Sequence, residues 1–555
     1  MKFGPYKIAY FSAEMGLTSS LPTYSGGLGI LAGDQIKAAA DVELPLCAVT
    51  LLYKEGYCRQ RVDEEGVQTE TYPRFDPDPL LEKLPVKFTL LLRNRNVWIQ
   101  AWLYVHRGLT GHEVPIFLLD SDVEENDPED RVITLRLYSG DKNHRILQEA
   151  ILGLGGIRLL EDLGIADVDT FHMNEGHCSL LTLALHRKFN GDEDEVRRRC
   201  VFTTHTSMPA GHDHYSVERC NSLLGSLIPD NLPLPEMVKN GRLHMTELGL
   251  YFSRAANGVS TLHGKVARGM FPQFKIDHIT NGVYHVGWIG KVFRELFDER
   301  LPGWRENPQL LKGIDSIPGE ELELAHDSHK RFLLGYTNSQ TQKALSMDTL
   351  TLGFARRAAQ YKRARLIFHD LDRLIDLGQG KIQIIFAGKA HPKDGHGKEI
   401  IQEIIHNANR LFGKVKVTFL ENYNMWLGRL ITSGVDVWLN TPVRPKEACG
   451  TSGMKAALNG IPNLSILDGW WTEACKDGVN GWALGNGNDS DDHEDANQLY
   501  NVLEERVIPA FYDDRTLWIS MMRQSIKSAI HFTAYRMIRE YRSKLYDLTG
   551  ENQPG

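Results

Sequence analysis

The chain has 555 residues, with 63 Lys and Arg against 71 Asp and Glu for a formal charge of −8. That length, at about 150 residues per domain, gives either several small domains or two large ones. The mild acidity excludes a global attraction for nucleic acid or anionic membrane, while 42% hydrophobic and 24% charged residues exclude wholesale disorder.

Taken in order, Met1–Pro5 leads into Ile8-Ala9-Tyr10-Phe11, an apolar run too short for the core of a secretory signal. No apolar run reaches the roughly 18 residues a membrane-spanning helix needs. β-Branched and aromatic runs predict strands over 7–11, 46–51, 115–119, 168–173, 200–204 and 276–280. Helical periodicity intervenes over 33–41 and 145–163. Residues 285–345 read as mostly helical, and the strand–helix rhythm returns with strands over 349–355, 382–387, 415–420, 435–440 and 463–467. An amphipathic segment over 517–548 is positioned to cross back and brace the first domain. Two βαβ halves predict an α/β protein of two Rossmann-like, doubly wound domains facing each other across a cleft, with boundaries at 1–285 and 286–526 and a bracing helix at about 527–550. The seven cysteines (Cys47, Cys58, Cys178, Cys200, Cys220, Cys449, Cys475) show no C-x-x-C spacing, the pattern of reduced thiols and a cytoplasmic location.

Three segments carry chemistry. Tyr24-Ser25-Gly26-Gly27-Leu28-Gly29-Ile30 sits between a strand and a helix, where amides and the helix dipole favour an anion; a tight turn explains the glycines equally well. Arg356-Arg357-Ala358-Ala359-Gln360-Tyr361-Lys362-Arg363 places four cations just after a strand, where α/β folds bind ligands. Cations at a helix start are unfavourable without an anion, which points to a phosphate. In Glu447-Ala448-Cys449-Gly450-Thr451-Ser452-Gly453-Met454-Lys455, small residues precede a helix with a lysine in its first turns, a candidate Schiff-base amine beside a phosphate-binding loop. The run Asp489–Asp495 invites a calcium reading but lacks EF-hand spacing, and a solvated acidic loop is the better account. His205, His212 and His214 lack the remaining ligands of a zinc pattern, so no metal is expected. Trp470-Trp471 reads as core.

The Glu447–Gly460 segment, followed by Leu467-Asp468-Gly469, closely resembles the pyridoxal-phosphate segment of α-glucan phosphorylases. Further ordered matches are Tyr24–Asp34, His172–His177, Thr203–Thr206, Gly258–His263, Ile279–Gly282, Arg356–Arg363, Gly388–Pro392 and Glu421–Tyr423. The chain is similar to the short form of the family, without the N-terminal regulatory extension of the long animal enzymes. The resemblance implies the two-domain architecture known as GT-B and reversible, retaining phosphorolysis of terminal α-1,4-glucosyl units of glycogen, starch or maltodextrin. Inorganic phosphate is the co-substrate and α-D-glucose 1-phosphate the product.

By motif match, Lys455 holds pyridoxal 5'-phosphate, with Thr451, Ser452 (where Gly is common), Tyr423 and Gly27 lining the cofactor. Asn424 stands where long members carry an Arg. Substrate phosphate falls to Arg356, Arg357, Lys362 and the amides of Gly26 and Gly27. Glucose falls to His177, His205, Asn281, Glu447, Cys449 and Gly450, with Cys449 replacing a Ser and the main-chain carbonyl of His205 facing the developing oxocarbenium ion. Lys455, Arg357, Lys362 and His205 are the expected catalytic residues. The partners implied are α-1,4-glucan and phosphate, with a homo-oligomer, a dimer, as the expected assembly. Three rivals remain: a nucleotide-sugar glucosyltransferase of the same architecture, a pyridoxal enzyme acting on amino acids, and a non-catalytic glucan-binding relative.

Overall fold

A computed structural model describes residues 3–225, 237–341, 343–485, 487 and 491–546. The chain divides into two compact units. Unit 1 comprises residues 1–57, 72–280 and 535–555, and unit 2 comprises 58–71 and 281–534.

Unit 1 is built on a nine-stranded sheet with the order Ile276–His278, Ala255–Gly258, Cys200–Thr203, Thr170–Asn174, Ile8–Ser12, Leu46–Leu51, Glu113–Asp120, Arg95–Arg107, Glu82–Leu92. The strands from Ile276–His278 to Glu113–Asp120 are parallel, and the last two add an antiparallel edge. The central strands are buried at every position, as expected where helices cover both faces. The sequence expectations do not include the long 82–107 hairpin, although Leu84, Val86, Phe88 and Leu90 alternate with Lys83, Pro85, Lys87 and Thr89 as a half-exposed strand does. The helical stretch expected over 145–163 runs as Lys142–Ala150 and Gly156–Asp162, joined by a single π-helical turn, Ile151–Gly155. The C-terminal segment packs into unit 1: Tyr546 donates its hydroxyl to His172 Nδ1 (2.7 Å), and Tyr541 lies against the same ring. Its expected end at 547–550 lies outside the described residues.

Unit 2 carries a six-stranded, wholly parallel sheet in the order Lys416–Leu420, Ile382–Ala387, Leu350–Ala355, Val437–Asn440, Asn463–Ile466, Gly481–Leu484. The strand order reverses beside Leu350–Ala355, and the loops after strand ends at such a point are where doubly wound sheets bind ligands. Between the two sheets in sequence lies the helical region expected there, including Lys291–Arg300 and Gly319–Thr341. Trp470 and Trp471 are each 1% exposed, so the tandem is core. Of the acidic run, Asp489 and Ser490 lie outside the described residues. Asp491 caps the helix Asp492–Val502, while Asp492 and Asp495 pair with Arg363.

Candidate functional site

In unit 1, three adjacent parallel strands end in register at Ser12, Asn174 and Thr203. The residues just beyond these ends form the first set of candidate side chains. Asn174 accepts a hydrogen bond from His205 Nε2 at 2.6 Å and donates to Ser12 Oγ at 3.1 Å. Since the amide oxygen can only accept, the His205 proton sits on Nε2.

Glu175 follows in the left-handed region (φ 79°), a conformation costly for a non-glycine residue and typical of a functional position. Its carboxylate accepts the amides of Gly176 (2.9 Å) and His205 (2.7 Å) and the Thr206 hydroxyl (2.9 Å). Glu175 thus fixes the backbone on which His205 and His177 stand. Burial lowers both histidines to about 4, outweighing the opposing pull of Glu175. At neutral pH they are uncharged hydrogen-bonding groups. His177 Nε2 lies 3.6 Å from Asp213 Oδ2, which also receives the Arg145 guanidinium at 3.0 and 3.1 Å.

The glycine turn opens the helix Gly27–Asp41. A Cβ placed on Gly26 or Gly27 would meet nothing within 4 Å, so the turn is open on that side. The amides of Ser25 (2.6 Å) and Gly26 (3.3 Å) donate to Glu14 Oε2, and Tyr138 donates to Glu14 Oε1 at 2.7 Å. A protein carboxylate, that of Glu14, therefore already accepts the amides of this turn. Glu14 is not among the residues expected from the sequence, although an acid two residues beyond a strand end and before a glycine turn is a readable signal.

Unit 2 holds the charged set. Arg356 and Arg357 follow directly on Leu350–Ala355. Arg357 is exposed, whereas Arg356 and Lys362 are buried against Glu447. Lys362 Nζ reaches both carboxylate oxygens (2.7 and 2.6 Å), and Arg356 donates to Glu447 and to Asn440. Burial raises the Glu447 carboxyl, but Arg356 and Lys362 outweigh it and hold it down at about 2. Glu447, expected only at sugar hydroxyls, is thus also the counter-charge of two expected phosphate ligands. The fourth cation of the run, Arg363, holds the Thr441 and Pro442 carbonyls together with Asp495 and belongs to the scaffold. Asp468 accepts the Glu447 amide (2.9 Å) and the Gly469 amide (2.8 Å). Burial, with Glu447 nearby, raises its carboxyl to about 7.

Gly450 adopts φ 87°, which turns the loop into the helix Thr451–Leu458. Thr451 and Ser452 stand half-buried on its first turn. Lys455 is buried, its Nζ 3.8 Å from the centroid of the Trp288 ring. Asn459 holds Trp288 in place by donating to its carbonyl at 3.0 Å. Tyr423 packs against the core around Leu420, Leu427 and Ala456. Asn281 and Cys449 are both buried. A buried primary amine on an aromatic face, two hydroxyls and first-turn amides with no side-chain cap make a donor set that fits pyridoxal phosphate. Among the described residues, no group of three or more His, Cys, Asp or Glu could hold a metal ion.

These features define a class: an α/β protein with doubly wound sheets, with buried neutral histidines beyond the strand ends of one unit and a buried Arg356–Lys362–Glu447 ion cluster beyond those of the other. A family model described as carbohydrate phosphorylase matches residues 229–498. The maltodextrin phosphorylase of Thermococcus litoralis is 39% identical over 97% of this chain and 70% of its own length. The glycogen phosphorylase of Mycobacterium tuberculosis is 38% identical over 98% of this chain and 71% of its own. An uncharacterized protein of Methanocaldococcus jannaschii is 33% identical over 97% of this chain and 99% of its own. The chain belongs to the carbohydrate phosphorylase family.

Proposed function

We propose that this protein is an α-1,4-glucan phosphorylase, transferring the terminal glucosyl unit of glycogen, starch or maltodextrin to inorganic phosphate with retention and releasing α-D-glucose 1-phosphate. The observation that carries the reading is the buried Lys455 on the helix that follows the Glu447–Arg356–Lys362 ion cluster. A nucleotide-sugar glucosyltransferase has no use for such an amine.

Lys455 holds pyridoxal phosphate, with Thr451, Ser452 and the helix amides at its phosphate and Tyr423 along the cofactor. Gly27 is assigned to the same group. When bound, the cofactor supplies a phosphate that can exchange a proton with the substrate phosphate. Arg357, Lys362 and Arg356 bind inorganic phosphate, and the glycine turn is assigned to the same anion through Gly27, the Gly26 amide being donated to Glu14. The exposed Arg357 is open to solvent, whereas Arg356 and Lys362 act with Glu447 as a preorganised cationic wall. The substrate phosphate gives its proton to the glycosidic oxygen, and one of its oxygens forms the new bond to C1. Asn281, His177, Glu447, Cys449 and Gly450 orient the glucosyl hydroxyls, and the His205 carbonyl faces the positive charge developing at C1. Glu175 steadies the backbone on both sides of that residue, because it accepts the His205 amide and the Thr206 hydroxyl.

All seven cysteines are free thiols, which supports a cytoplasmic location. Among the described residues no helix is long and apolar enough to cross a membrane. Assembly as a homodimer belongs to the same reading and is checked by light scattering. Glucose 1-phosphate release from maltodextrins of graded length, with and without pyridoxal phosphate, tests the proposal. Release of glucose from a nucleotide sugar with no phosphorolysis would replace it with the glucosyltransferase reading.

A further inference from the structure

The chain leaves unit 1 after Tyr57, forms a two-stranded hairpin (Arg59–Val62 and Gln68–Thr71) that belongs to unit 2, and returns at Tyr72. A short antiparallel ribbon is marginal by itself, so its place must come from what it touches. Two glutamines make those contacts, Gln60 at 1% exposure and Gln68 at 3%.

Gln60 Oε1 accepts the Asn422 amide at 2.8 Å, and its Nε2 donates to the Gly388 carbonyl (2.9 Å) and to Gln68 Oε1 (2.8 Å). Gln68 Oε1 accepts the Ala390 amide at 3.0 Å, and its Nε2 donates to the Ala390 carbonyl (3.0 Å) and to Glu70 (2.7 Å). Each side-chain amide has both its oxygen and its nitrogen engaged, and each reads main chain of loops outside the ribbon. Around them, Lys389 Nζ donates to the Cys58 carbonyl at 2.8 Å and Glu421 accepts the Val62 amide at 2.9 Å.

The two loops held this way follow the strands Ile382–Ala387 and Lys416–Leu420, at the ligand-binding end of the sheet. One carries Glu421-Asn422-Tyr423, with Asn422 at φ 57°, the left-handed conformation that Asn tolerates, and with its amide held by Gln60. The other backs the phosphate cations: Arg356 donates its amide to Ala387 O (3.0 Å), and the Ala358 amide donates to Lys389 O (2.9 Å). Gly388 lies so close that a side chain there would sit 2.0 Å from the Arg356 carbonyl.

We propose that Gln60 and Gln68 are positioning residues that hold the Tyr423 loop and the Arg356–Arg357 segment in register for cofactor and phosphate, so that a hairpin inserted in the sequence of unit 1 tunes the anion chemistry of unit 2. The inference rests on the phosphorylase reading for its ligands but not for its geometry.

The test uses the full chain with Gln60→Met, which keeps the volume and removes the hydrogen bonds, and Ile526→Val, a buried packing change elsewhere in unit 2, as the control. Amide hydrogen exchange read by mass spectrometry should rise at least tenfold over 388–390 and 421–423 in Gln60→Met and stay at wild-type rates there in the control. Pyridoxal phosphate, followed by its absorbance after gel filtration, should dissociate about tenfold faster. The KM for phosphate should rise several-fold, with kcat at saturating phosphate and cofactor within twofold. Exchange unchanged at both loops, or raised equally across unit 2, would overturn the brace. So would faster exchange at the loops with wild-type cofactor retention and phosphate KM. Should the wild-type chain bind no pyridoxal phosphate, the functional reading fails, and the exchange measurement alone decides whether the glutamines brace the loops.

Discussion

The two units place their candidate side chains at the same topological address, the C-terminal ends of parallel strands, yet equip them with opposite chemistry. Unit 1 offers neutral rings: His177 and His205 are held uncharged by burial, Asn174 fixes one of them, and the charges nearby are already taken up, Glu175 by backbone amides and Asp213 by Arg145. Unit 2 offers a buried ion cluster of Arg356 and Lys362 against Glu447, with Arg357 exposed beside it. Sugar hydroxyls are recognised well by neutral donors and acceptors, whereas a phosphate dianion needs cations whose own desolvation is already offset. One fold class thus supplies either chemistry, depending on which side chains its strand ends carry.

The most severe way to break unit 2 is Lys455→Ala. Cofactor absorbance and phosphorolysis should both disappear while far-ultraviolet circular dichroism stays unchanged. Stoichiometric cofactor still covalently attached in that variant would remove Lys455 from its assigned role.

Glu447→Gln comes next. It keeps the shape but leaves two buried cations uncompensated, a loss of about 3–5 kcal/mol for a broken buried pair. Denaturant unfolding should show that loss in unit 2, and a loss under about 1 kcal/mol would mean the cluster is solvated. Arg357→Ala should cost about 1.5–3 kcal/mol in the use of phosphate and glucose 1-phosphate, the worth of a hydrogen bond to a charged group, with glucan binding retained. Equal weakening of glucan binding would instead mark Arg357 as structural.

The smallest effect separates the units by pH. A histidine whose folded value lies below its unfolded value of about 6.5 stabilises the fold fully above that unfolded value and loses that stability as pH falls toward the folded one. His106, His172, His177 and His205 of unit 1 are lowered to about 4, 3, 4 and 4, chiefly by burial, whereas in unit 2 His329 is lowered to about 4. Buried acids oppose this, Glu149 in unit 1 and Asp468 in unit 2, because a raised carboxyl favours the fold at lower pH. His244 and His263 of unit 1 are lowered as well, so six such histidines stand against one, and unit 1 should lose more stability than unit 2 as pH falls from about 7 to 5. Hydrogen exchange resolved by unit at the two pH values measures it. Equal change in both units would show that histidine burial does not separate them.

Much of this protein is determined by the sequence alone. Wholly buried parallel strands write themselves as continuous apolar runs, so 46–51 and 382–387 were legible to the residue. Local chemistry was legible for the same reason: a basic run after a strand and a lysine after a glycine turn are contiguous in the chain. Tertiary structure decided what contiguity cannot encode. Arg363 looks like its neighbours but is spent on the Thr441 and Pro442 carbonyls, and Glu447 compensates Arg356 and Lys362 from some 85–91 positions away. Glu14 occupies the glycine turn from eleven residues upstream, and Gln60 reaches Asn422 from 362 residues away. A buried polar group must find a partner, but the partner's identity depends on which strand ends converge, and that is set by sheet order and burial across the whole chain.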